Sequence, residues 1–166
     1  KNIQNLKNEI FKNPSKDHQQ ITNLIDKFSG QVSGESIIEK NQVEIKEIFE
    51  QENIEEILNK TYSLSQNGSE FSKNTEHELK GKSPTSLKIT FKQIHMATEM
   101  SLRDALIMEY RMVQRCQASG DFYEGVRAML VDKDRNPQWK PSNLDKVDEI
   151  WVNHFFEPLH EKDLKI

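Results

Sequence analysis

Apolar residues recur at three- and four-residue spacing in one segment after another of this chain, each time as a narrow stripe between wide polar faces. A stripe of that width marks a helix that covers something rather than one enclosed on all sides. Ile3, Leu6, Ile10 and Phe11 draw the first, broken at Pro14-Ser15, and Ile21, Leu24, Ile25 and Phe28 the second, stopped at Ser29-Gly30. The third, Ile37, Ile38, Val43, Ile45, Ile48 and Phe49, follows Ser36 as its N-cap; the fourth, Ile54, Ile57, Leu58 and Leu64, starts after Asn53 and ends near Asn67-Gly68. Phe71 to Lys80 reads as a weakly apolar helix.

Punctuation is sharper in the second half. Ser83-Pro84 is an N-cap followed by proline at the first helical position, where the missing N–H is no loss, and Leu87, Phe91, Ile94 and Met96 follow. Ser101, with Asp104 three residues on, opens a helix whose stripe is Leu102, Ala105, Leu106, Val113 and Cys116. Gly120 is expected to end it, and Asp121 with Glu124 to cap the next, which carries Val126, Met129 and Leu130. Asn136-Pro137 and Lys140-Pro141 force an extended loop around Trp139. A last short helix holds Ile150, Trp151, Phe155 and Phe156. The fold class is mainly α, with eight or so helices and no segment that reads convincingly as a strand.

Leu, Ile, Val and Phe make up 42 of the 166 residues, enough for a core but a thin one. The net charge of −4 argues against a nucleic-acid or anionic-membrane partner, and no apolar run approaches a membrane span. A single cysteine, Cys116, excludes a disulfide scaffold and fits a reducing compartment. Residues 1–82 contain 11 Lys and no Arg, whereas 83–166 contain all five Arg, all five Met and both Trp, so two regions meet near Gly81. The chain starts at Lys1 without a leader pattern, which is expected to reflect a cut.

No complete active site assembles from these residues. Gly120 and Gly125 have phosphate-loop spacing, but Val126-Arg127 stands where Lys and Ser/Thr are needed. His18, His77, His95, His154 and His160 form no helical pair that could hold a metal. Asp121 and Glu124 read as a helix cap first and a catalytic carboxylate pair second, and Glu109 with Arg111 as a buried ion pair. Lys133, Arg135 and Lys140 around Trp139 could hold a phosphate by charge and an adenine by stacking. Asp132 and Asp134 interrupt that patch, so the residues alone read first as a plain solvated loop and second as such a site.

Three stretches become informative together: SPTSLKIT (83–90), SLRDALIMEYRMVQRC (101–116) and DFYEGVRAMLVDKDRNPQWKP (121–141). In that order they resemble the C-terminal part of the 3-hydroxyisobutyryl-CoA hydrolase family, within the crotonase (enoyl-CoA hydratase/isomerase) superfamily. The closing Asp163-Leu164-Lys165-Ile166 resembles the family's own C-terminus. The resemblance implies that 83–166 is the helical C-terminal region of a crotonase-like fold, without the ββα spiral core, and 1–82 the helical insert of these hydrolases.

Family members cleave the thioester of 3-hydroxyisobutyryl-CoA in mitochondrial valine breakdown. They use a Glu and an Asp, with two backbone N–H groups aimed at the oxyanion. In the family pattern those groups precede Lys1, so no catalytic residue carries over to this sequence, and no cofactor beyond the acyl-CoA substrate is implied. The resemblance places Lys133, with Arg135 as its rival, at the phosphoadenosine end of coenzyme A. The implied partners are acyl-CoA, an absent N-terminal crotonase core and other subunits. Two further readings stay open on the sequence: a non-catalytic component of the mitochondrial ribosome, and a free-standing helical interaction module.

Overall fold

Local capping sets most helix starts, and the computed structural model, which describes residues 2–12, 17–29 and 34–165, shows the bonds. In chain order the helices are α1 (Asn2–Lys12), α2 (His18–Phe28), α3 (Ile37–Lys40), α4 (Gln42–Phe49) and α5 (Ile54–Gln66). They continue as α6 (Glu70–Lys80), α7 (Pro84–Ala97), α8 (Leu102–Ala118), α9 (Gly120–Val126) and α10 (Glu149–His154). A π-helical turn, Arg127–Val131, extends α9, and short 3-10 turns span Leu144–Lys146 and His160–Lys162. Among the described residues there is no strand, and no helix is long and apolar enough to cross a membrane. Asp17, Asn53, Ser69, Ser83, Ser101 and Asp148 each accept a backbone N–H from the first turn that follows. Ser36 and Glu39 cap reciprocally, each side chain accepting the other's N–H. The expected breaks at Pro14-Ser15 and Gly30, and the start at Lys1, lie outside the described residues.

The chain separates into two compact units, 1–40 and 41–166. In the first, α1 packs against α2. Leu6, Ile10, Ile21, Leu24 and Phe28 are half-buried there, while Ile3 and Phe11 are exposed, and no described residue of this unit is fully buried.

The second unit has two small apolar clusters that share α7. Ile48, Ile54 and Ile57 form one, with Leu87 and Phe91 of α7 packed against it. Ile89 of α7 joins Met108, Met112, Val147, Val152 and Phe155 in the other. Phe155 is 1% exposed, and burial of such a side chain contributes roughly 1.5–3 kcal/mol. Between α5 and α6, Gly68 turns the chain with φ 93°, a conformation that glycine adopts without strain. Glu44 of α4 reaches this corner and accepts the hydroxyls of Ser69 and Ser72. Lys88 ties α7 outward in two directions, to Glu55 at 2.7 Å and to the Val147 carbonyl at 3.1 Å.

Three expectations change. The third stripe is two helices, α3 and α4, divided at Asn41, and of its apolar residues only Ile48 is fully buried. On α8 the core takes Met108 and Met112 with Cys116 packed beside them, while Leu102, at 77% exposed, and Val113 face away. This helix carries apolar residues on two faces, and the unbranched thioether chains of methionine fill the irregular inner gap. Glu109 and Arg111 are not an ion pair: Glu109 accepts from Gln93 at 3.1 Å, and Arg111 forks onto Asp163. That fork closes the C-terminal tail over α8 and holds the Asp163 carboxyl below its ordinary range.

Candidate functional site

Proline spacing keeps 133–139 out of regular structure, so the loop needs anchors from elsewhere. Trp139 supplies one: its indole N–H donates to the Gly81 carbonyl at 3.0 Å, and its ring lies against Gly125, where an added Cβ would sit 3.4 Å from the ring. Asp121 supplies another, accepting the Lys140 N–H at 2.9 Å and the Ser83 hydroxyl at 2.6 Å. The start of α7, the start of α9 and the loop are thereby joined at one carboxylate.

Arg127 supplies the rest. Its guanidinium forks onto both oxygens of Glu124 at 2.9 and 2.7 Å, reaches Asp132 and Asp134 at 2.6 Å each, and meets the Asn136 carbonyl at 3.3 Å. Glu124 also accepts the Gln138 N–H at 2.6 Å, and Asp134 the Asn136 N–H at 2.9 Å. Bonds from Arg127, then from Gln138, bring the Glu124 carboxyl down to about 2, and Asp134 is likewise lowered, chiefly by Arg127.

The capping reading of Asp121 and Glu124 is therefore overturned. Ser119 precedes α9 with no side-chain cap bond, and both carboxylates reach across to the loop instead. The same i, i+3 spacing serves a capping box and a pair of outward anchors, so spacing alone does not separate them.

Lys133 and Arg135 sit on this loop, exposed, with φ of 57° and 54°, and neither side chain bonds a described residue. Lys140 is at the far end, where its charge also lowers Glu124. The loop thus presents free cations on a backbone fixed from behind. Sequence reasoning missed Arg127 as the organiser. Its signal was there to read: a carboxylate three residues before it, and aspartates five and seven residues after it.

Beneath the first turns of α7 lies a cavity of about 590 Å³, walled by Ile54, Ile57, Leu87, Phe91 and Phe155. Thr85 lines it, and its buried hydroxyl has no hydrogen-bond partner among the described residues. Cys116 also lines it, and burial pushes its thiol up, away from the nucleophilic thiolate form. Among the described residues no group of His, Cys, Asp or Glu could hold a metal ion.

The enoyl-CoA hydratase/isomerase family model matches residues 1–156. The chain is 40% identical over 160 residues to mitochondrial 3-hydroxyisobutyryl-CoA hydrolase of Gallus gallus, covering 94% of this chain and 40% of that protein. Against the Homo sapiens protein of the same name it is 41% identical over 129 residues, covering 78% and 33% respectively. The chain therefore spans about two fifths or less of these curated relatives. A solved carnitinyl-CoA dehydratase from Mycobacterium thermoresistibile superimposes with a TM-score of 0.79 at 22% identity, covering 98% of this chain and 44% of that one. An enoyl-CoA hydratase from Rhodobacter sphaeroides 2.4.1 gives 0.74 at 24% identity, covering 91% and 46%. These two likenesses show the fold, the all-helical portion of a crotonase. With the family model matched from residue 1 to 156, this chain belongs to the enoyl-CoA hydratase/isomerase family.

Proposed function

We propose that this chain is the helical C-terminal portion of a mitochondrial acyl-CoA thioester hydrolase acting on 3-hydroxyisobutyryl-CoA in valine breakdown. The observation that carries the reading is the 40% identity along 94% of the chain to a hydrolase of that name. Residues 1–82 are the insert of the hydrolase subfamily and 83–166 its C-terminal helical region. The catalytic Glu and Asp belong to the N-terminal core. This portion covers the active site, walls the acyl-CoA pocket and makes subunit contacts. The outward apolar residues of α8 and of the π-helical turn, Leu102, Val113, Leu130 and Val131, suit such a covering role, because a surface rich in exposed apolar groups calls for a partner.

Lys133 and Arg135 bind the phosphoadenosine end of coenzyme A. The support is geometric: both are exposed cations on a loop whose backbone is fixed by Trp139, Asp121 and Arg127. Arginine offers a planar fork to phosphate and lysine a point charge, so the pair suits a ligand with several phosphate oxygens.

The test is steady-state hydrolysis of 3-hydroxyisobutyryl-CoA by protein carrying this chain together with the catalytic core. Hydrolysis is expected, and Lys133→Ala with Arg135→Ala is expected to raise KM roughly tenfold at nearly constant kcat, as two phosphate contacts of modest net strength would require. No turnover would overturn the assignment of activity; turnover with an unchanged KM would overturn only the coenzyme contact.

A further inference from the structure

The loop that carries Lys133 and Arg135 is organised from behind by a residue with no donor left for a ligand. A guanidinium has five N–H groups, and Arg127 uses all of them inside the chain: two on Glu124, one each on Asp132 and Asp134, and one on the Asn136 carbonyl. An alternation results. Asp132 and Asp134 are turned to the guanidinium, while Lys133 and Arg135 stay exposed and unbonded to any described residue. Both exposed residues hold the left-handed φ region, at 57° and 54°. A side chain other than glycine keeps that conformation only where its surroundings over-determine it, and the bonds to Asp132, Asp134 and Asn136 provide that constraint on either side of each residue.

We propose that Arg127 is a positioning residue for phosphate recognition by this loop: its bonds to Asp132, Asp134 and the Asn136 carbonyl fix the backbone on which Lys133 and Arg135 face an anionic ligand together. The inference rests on the reading of Lys133 and Arg135 as contacts to the phosphoadenosine end of coenzyme A. It assigns Arg127 no contact with the ligand.

Charge alone and positioning predict opposite outcomes, which makes the inference testable. The 166-residue chain is titrated calorimetrically with adenosine 3′,5′-bisphosphate, beside its Arg127→Lys, Asp132→Ala/Asp134→Ala and Lys133→Ala/Arg135→Ala variants. Arg127→Lys keeps the charge but loses the fork, and the aspartate variant removes two negative charges from the neighbourhood of the ligand. Positioning predicts that both weaken binding about tenfold, the scale of releasing a residue or two of ordered backbone. Binding by Arg127→Lys equal to that of the unchanged chain, or tighter binding by the aspartate variant, would overturn it in favour of a simple field effect. Should Arg127→Lys lose its cooperative thermal transition, the aspartate variant, whose replaced side chains are exposed, decides alone. Unchanged binding by Lys133→Ala/Arg135→Ala, or no saturable binding by the unchanged chain, would instead remove the coenzyme reading on which the inference stands.

Discussion

In the cluster around Phe155, six buried apolar side chains from α7, α8, α10 and the residues flanking α10 meet with no ionised group among them. In the loop from Asp132 to Lys140 the reverse holds: position is set by Arg127, Glu124, Asp121 and one indole N–H, all bonding across the chain. The two regions share the start of α7, through Ser83 on the loop side and Ile89 on the core side. The difference separates two jobs. Apolar packing is non-directional and supplies stability in proportion to buried area. A fork of charge-assisted bonds supplies geometry, and its value shows in where Lys133 and Arg135 are held rather than in global stability.

Perturbations of the two regions should therefore differ in kind as well as size. Phe155→Ala empties the centre of the core and should destabilise the chain by about 3–5 kcal/mol in denaturant unfolding. A change below about 1 kcal/mol would mean that the cluster is not a core. Asn53→Ala removes the cap of α5 beside the buried Ile54 and should cost about 1 kcal/mol by the same measurement. Leu102→Ser, on the outward face of α8, should stay within about 0.5 kcal/mol in this chain. The same substitution should weaken assembly with the catalytic core, read by co-purification.

Acid probes the loop without a mutation. Glu124 is held at about 2 in the folded chain, well below an ordinary carboxylate of 4.5. A group lowered on folding stabilises the native state above its unfolded value and loses that contribution as pH falls through the folded value. Loop order should therefore hold above pH 4.5 and decline toward pH 2, seen in the Trp139 indole N–H resonance, and Glu124→Gln should flatten that acid limb. An indole signal that responds identically in the two proteins would detach the loop from this carboxylate.

Helix starts were the most legible part of this fold, because a cap is a local contract between residues three apart. Ser83, Ser101, Asn53 and Ser36 each cap the helix that the sequence reading assigned to them. The face that α8 buries was not legible, because Leu102 and Met108 both lie on apolar stripes and only the neighbouring α7 and α10 decide between them. The site was legible as a composition, cations and a tryptophan between two prolines. Its organisation was not, because beyond the Glu124–Arg127 pair, Asp121 and Glu124 find partners 14 to 38 residues away in sequence. A capping motif and a tertiary anchor of this kind look alike until the chain has closed.

The central claim is that the loop behind α9 meets the phosphoadenosine end of an acyl-CoA. The most direct measurement compares hydrolysis of 3-hydroxyisobutyryl-CoA with that of the matching pantetheine thioester, which lacks that end. It is made on protein joining this chain to its catalytic core, with and without Lys133→Ala/Arg135→Ala. The account predicts a KM raised roughly tenfold for the CoA ester and unchanged for the pantetheine ester. Equal effects on the two substrates, or none on either, would contradict it.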